Sequence, residues 1–100
     1  MARFIILYNG PASTPDTSHA GWIKWFKELG NKLTDKGSPI KQASGVTIAH
    51  NGATTESSYT VNGYGVITAN NIDEAIKLVS THPFLANGDQ YKIELFELGH

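Results

Sequence analysis

The chain has 100 residues, 40% hydrophobic and 17% charged, with a formal net charge of −1. That is enough for one domain with a core, and too little charge of either sign for a nucleic-acid or anionic-membrane footprint. The absence of cysteine excludes disulfide scaffolds, thiol catalysis and Cys-based zinc sites, and the cytoplasm is the expected compartment.

Arg3 to Tyr8 is apolar on both alternating faces, with Phe4, Ile6 and Tyr8 on one and Ile5 and Leu7 on the other. It is predicted as a central strand, too short for a signal peptide or a membrane span. Asn9-Gly10-Pro11 ends it, and a polar loop is expected through Thr17. Asp16, Thr17 or Ser18 then caps a helix predicted to reach about Thr34, with Trp22, Phe26, Leu29 and Leu33 as its stripe, widened by Ile23 and Trp25. Gly30 weakens that stretch by ~1 kcal/mol relative to alanine, which makes an earlier end near it the alternative. Asp35 to Pro39 reads as a loop.

Ser44 to His50 alternates and is expected as the second strand, with Asn51-Gly52 as a hairpin turn. Tyr59 to Ala69 is expected as one long strand, with a bulge or turn at Asn62-Gly63. Asn71 caps a second helix with Glu74 as its capping-box partner; Ile72, Ala75, Ile76 and Val79 recur at helical spacing, and Pro83 stops it. Tyr91 to Leu98 is the last strand.

The order strand, helix, strand, strand, helix, strand predicts a ferredoxin-like α+β fold over residues 1–100, an antiparallel sheet with two helices on one face. Trp22, Phe26, Ile67, Ile76 and Ile93 are the expected core. Two helices cover one sheet face, while Ile5, Leu7, Ile67, Phe96 and Leu98 put apolar side chains on both. A second copy of the sheet is the simplest cover, so a homodimer is expected.

Several short stretches recur in a known order: Tyr8-Asn9-Gly10-Pro11, then His19, Trp22, Trp25, Phe26 and Leu29-Gly30, then Gly37-Ser38-Pro39-Ile40. Gly63-Tyr64, Asp73-Glu74-Ala75-Ile76 and His82-Pro83 before Ile93-Glu94-Leu95 complete it. In these the chain resembles the YCII-related proteins of the DGPF-like subset. The resemblance implies ferredoxin-like subunits joined as a dimeric α/β barrel. For some members it also implies a small enzyme with a His and an Asp facing a cleft beside the sheet. His19 stands where the family often has a histidine early in the first helix. His82 stands where many relatives place an aspartate before proline, so the His–Asp pair is not reproduced.

His19 is the first catalytic candidate, because a helix N-terminus biases imidazole toward the neutral form that accepts a proton near pH 7. An exposed polar residue in a first turn is the plainer alternative. His82 is the second candidate: the helix end favours its charged form, and it either satisfies the last carbonyls or works with Asp89 or Asp16. Tyr8, Trp22, Tyr64 and Asp89 are the ligand-binding candidates. Tyr8 and Tyr64 meet only if strand pairing brings them together, and Trp22 with Trp25 either lines a pocket or packs on the sheet. His50 reads as a strand end, and His100 is assigned nothing. No metal-ligand spacing, Gly-rich phosphate loop or G-x-S-x-G elbow occurs, so no metal or cofactor is expected. Two functions stay open: a small-molecule enzyme using His19 as acid or base, and a non-catalytic metabolite-binding or assembly module. The expected partners are a second copy and a small-molecule ligand, with no nucleic acid and no membrane.

Overall fold

The structure, a computed structural model, describes residues 1–11 and 19–99, and for residues 19 and 20 the backbone alone. The caps expected at Asp16, Thr17 and Ser18 therefore lie outside the described residues, as does His100. In chain order the elements are β1 (Ala2–Asn9), α1 (His19–Leu29), β2 (Leu33–Pro39), β3 (Val46–Ile48), β4 (Thr54–Glu56), β5 (Val61–Ala69), α2 (Ile72–Val79) and β6 (Lys92–Glu97). An antiparallel sheet has the order β2-β5-β1-β6, and β3 and β4 form a separate antiparallel pair. The chain is thus α+β with antiparallel sheets and two helices, compatible with a ferredoxin-like fold.

The alternation of β1 sets the layers. Phe4, Ile6 and Tyr8 are buried together with Ile67 and Ala69 of β5, Trp25 and Leu29 of α1, Ala75 and Val79 of α2, and Phe84. Both helices therefore cover the same sheet face. On the other face Ile5 lies between Val66 and Phe96, and Leu7 between Tyr64 and Glu94. Of these apolar residues Phe96 is exposed and the rest are half-buried, and none joins the buried cluster.

The first helix ends at Leu29, not at Thr34. Gly30 takes the left-handed conformation at φ 56° that stops helices, and Leu33 already pairs with Ile67. The stretch expected as a loop is consequently the edge strand β2. Its register slips twice against β5, between Leu33 and Asp35 and between Asp35 and Ser38. The second slip needs a glycine: Gly37 has φ 73°, and a Cβ there would lie 1.7 Å from the Tyr64 carbonyl oxygen. The strand expected over Ser44–His50 shrinks to β3 and stays outside the main sheet. Its Asn51-Gly52 turn forms as expected, with Asn51 Oδ1 accepting from the Ala53 amide at 3.0 Å.

The irregularity expected at Asn62-Gly63 is a bulge: Tyr8 pairs with Gly63 and Asn9 with Val61, leaving Asn62 over. Asn71 caps α2 by accepting from the Glu74 amide at 2.9 Å, while Glu74 reaches back to the Asn70 amide at 3.1 Å. Of the expected core, Ile67 is fully buried, and Trp22, Phe26 and Ile93 pack partly buried against the cluster. Ile76 is not core; it is 50% exposed. The α2 surface turns Ala75 and Val79 to the sheet and tucks Leu78 against the cluster, which rolls Ile72 and Ile76 outward.

Candidate functional site

Tyr8 ends the buried row of β1, beside the bulge at Asn62. His82 follows α2, its amide bonded to the Val79 carbonyl at 2.9 Å and its side chain 2% exposed. Pro83 starts a 3-10 turn over Pro83–Asn87, and His82 caps it: Nδ1 accepts from the Phe84 amide at 3.0 Å. With Nδ1 an acceptor, the proton of a neutral imidazole sits on Nε2, which faces Tyr8 Oη at 3.0 Å and donates to it.

Aromatic rings enclose this pair. The centroids of Trp25, Trp22 and Tyr8 lie 4.2, 4.4 and 4.9 Å from that of His82. Trp25 Nε1 donates to the Leu78 carbonyl at 3.3 Å and to Thr81 Oγ1 at 3.2 Å, tying α1 to the end of α2. Phe84 closes the cluster against Tyr8 and Tyr91. Burial lowers the His82 pKa from 6.5 to about 4 and raises the Tyr8 phenol well above its usual value. The charge expected for His82 at a helix end does not form. A surface dipole contributes about 0.3–1 kcal/mol, while a shift of this size corresponds to roughly 3 kcal/mol, so desolvation wins. His82 is neutral at physiological pH, with both ring nitrogens engaged.

The structure thus brings together three of the sequence candidates: Tyr8, Trp22 and His82. Tyr64 is on the opposite sheet face, because antiparallel pairing sets it against Leu7 and sets Gly63 against Tyr8. Asp89 is exposed, and the partners of His82 are Tyr8 and the Phe84 amide instead. The side chain of His19 lies outside the described residues, as does Asp16; the His19 backbone opens α1, three residues before Trp22. His50 is exposed in the β3–β4 turn.

No family model, curated protein or solved structure matches this chain.

Sequence reasoning passed over Thr81, Phe84 and Gln42. Thr81 and Phe84 flank the His82-Pro83 step, which was the available signal. Gln42 carried none. The two hydrogens of its amide nitrogen are shared among the carbonyls of Gly10 and Thr60, each at 2.8 Å, and Asn62 Oδ1, joining three segments at one point. A shallow groove of about 360 Å³ runs between α1 and β2, lined by Ile23, Phe26, Lys27, Gly30, Leu33 and Lys36. Among the described residues no group of His, Asp or Glu is placed to hold a metal ion. None of the described helices is long and apolar enough to cross a membrane.

Proposed function

We propose that the chain is a cytoplasmic, homodimeric module of the YCII-related, DGPF-like kind, built from a ferredoxin-like subunit, and that it works by assembly and metabolite binding rather than catalysis. In this reading two sheets pack through their uncovered sides into an α/β barrel. The observation that carries it is the sheet face of Ile5, Leu7, Val66 and Phe96, which no helix covers among the described residues. A contiguous apolar face in water marks an interaction surface. His82 supports the non-catalytic half: a histidine 2% exposed, with both nitrogens bonded, has no lone pair to offer a substrate. The α1–β2 groove, whose lining combines Lys27 and Lys36 with Ile23, Phe26 and Leu33, suits a small anionic metabolite.

Sedimentation equilibrium tests the assembly. The wild type should have twice the 10.9 kDa chain mass at micromolar concentration, and Phe96→Asp should return it to the single mass. A monomeric wild type removes the reading. A thermal-shift screen of small carboxylates and phosphates tests binding, since a ligand at 100 times its Kd adds about 2.7 kcal/mol to stability.

One observation favours the enzymatic alternative: Tyr8, Trp22 and His82 gather beside the helix that His19 opens. If a substrate is found, His19→Gln should abolish turnover and leave affinity nearly intact.

A further inference from the structure

Four Asn-Gly steps punctuate this chain, at Asn9-Gly10, Asn51-Gly52, Asn62-Gly63 and Asn87-Gly88. The glycine nitrogen of such a step can attack the asparagine side-chain carbonyl carbon, since no Cβ obstructs the approach. Folding decides which of the four can react, because the attack needs a movable carboxamide, a releasable peptide N–H and water.

Three steps are held. Asn9 is half-buried and Gly10 buried, and the Gly10 amide donates to the Thr60 carbonyl at 3.1 Å. A Cβ on Gly10 would lie 2.8 Å from the Tyr91 ring, so this peptide has little room to turn. Asn62 is half-buried beside buried Gly63; Gln42 binds its Oδ1, and its Nδ2 donates to the Pro11 carbonyl at 3.3 Å. Asn87 closes the 3-10 turn with its Nδ2, the leaving group, shut off from solvent. Asn51 and Gly52 differ: both are exposed, at the tip of a hairpin whose strand residues are all exposed too. A two-stranded ribbon is marginal in water, so the bond from the Gly52 amide to the Ala49 carbonyl, 2.9 Å, opens without unpacking a core. The Ala53 amide donates to Asn51 Oδ1 at 3.0 Å. That contact bends the carboxamide back over the Gly52 peptide between them, and it puts an N–H on the oxygen where negative charge builds during attack.

We propose that Asn51 is a self-modification site, converting through a cyclic imide to aspartyl and isoaspartyl forms while Asn9, Asn62 and Asn87 persist. Solvent base takes the Gly52 amide proton, the nitrogen bonds to Asn51 Cγ, and the Cγ–Nδ2 bond breaks as ammonia leaves with a proton from water. A second water then opens the imide at either carbonyl. One opening restores the ordinary backbone; the other routes it through Cβ and Cγ and lengthens the Ala49–Ala53 loop by one carbon. Either adds one carboxylate, which takes the formal net charge from −1 to −2. It does so in a hairpin where, from Gly45 to Thr60, Glu56 is the only formally charged residue.

The test incubates the full chain at mildly alkaline pH and follows all four sites by peptide mapping, which separates aspartyl from isoaspartyl forms. Asn51 should convert at least about tenfold faster than each of the other three, which asks only about 1.4 kcal/mol of extra opening cost at those sites. In concentrated urea that lead should vanish, since all four steps share the same glycine. Gly52→Ala should slow conversion at Asn51 at least about tenfold, its Cβ crowding the attacking nitrogen, and leave the other three at their wild-type rates. A smaller lead in the folded chain, or one that survives unchanged in urea, overturns the proposal, as does a Gly52→Ala variant that converts at the wild-type rate.

Discussion

Protonating His82 should loosen the fold, by an amount the structure sets. The imidazole is buried and neutral with a folded-state pKa of about 4, against 6.5 when exposed. Between those values the unfolded chain holds the extra proton and the folded chain does not, so stability rises with pH. The stabilisation is complete above pH 6.5, falls by about 1.4 kcal/mol per pH unit through the window, and is gone below about pH 4, a total of roughly 3 kcal/mol. Urea denaturation at half-unit steps from pH 3.5 to 7.5 measures this. Carboxylates titrate over part of the same range, so the comparison is with His82→Asn. Its side-chain oxygen can still accept from the Phe84 amide, and it cannot titrate. The variant should be less stable at pH 7, having lost its ring packing, but its pH dependence should be flatter by the His82 share. Equal slopes for the two proteins would refute a buried neutral His82, as would an imidazole resonance at position 82 titrating near 6.5.

Other substitutions probe the surrounding supports. Trp25→Phe removes the indole N–H that binds Leu78 and Thr81, and should cost about 1–2 kcal/mol in the urea midpoint; an unchanged midpoint would mean those bonds are not formed. Gly37→Ala meets both a positive φ and the Tyr64 carbonyl, so β2 should lose hydrogen-exchange protection and the fold at least ~1 kcal/mol. If Gly37→Ala is neutral, the bulge is misplaced. Asn71→Ala deletes the cap on Glu74 and should cost ~1 kcal/mol, read from the thermal midpoint.

What the sequence disclosed depends on where each element gets its stability. β1 and β5 were legible because their side chains alternate between two layers, and α2 because its cap and its proline stop are local. β2 was not: Leu33–Pro39 has almost no apolar alternation, since an edge strand with two slips is held by backbone pairing to β5. The phase of α2 was ambiguous for a related reason. Ile72, Ala75, Ile76, Leu78 and Val79 span a wider arc than the sheet can bury, and the packing of Leu78 against the cluster that includes Trp25 decides which part faces in. At the candidate site, the position of His82 after a helix was plain, but its neutrality comes from burial, among rings such as Trp22, Trp25 and Tyr8 that lie far away in the sequence.

The two slips in β2 also govern how this protein behaves when concentrated. A straight edge strand is a template on which another chain can hydrogen-bond, and stacking of that kind has no natural end. Here one border of the sheet is kinked by Gly37 and closes on Pro39, which has no amide hydrogen to give. The opposite border, β6, carries exposed Lys92, Glu94 and Glu97. Endless growth sideways is thus discouraged at both borders of the main sheet.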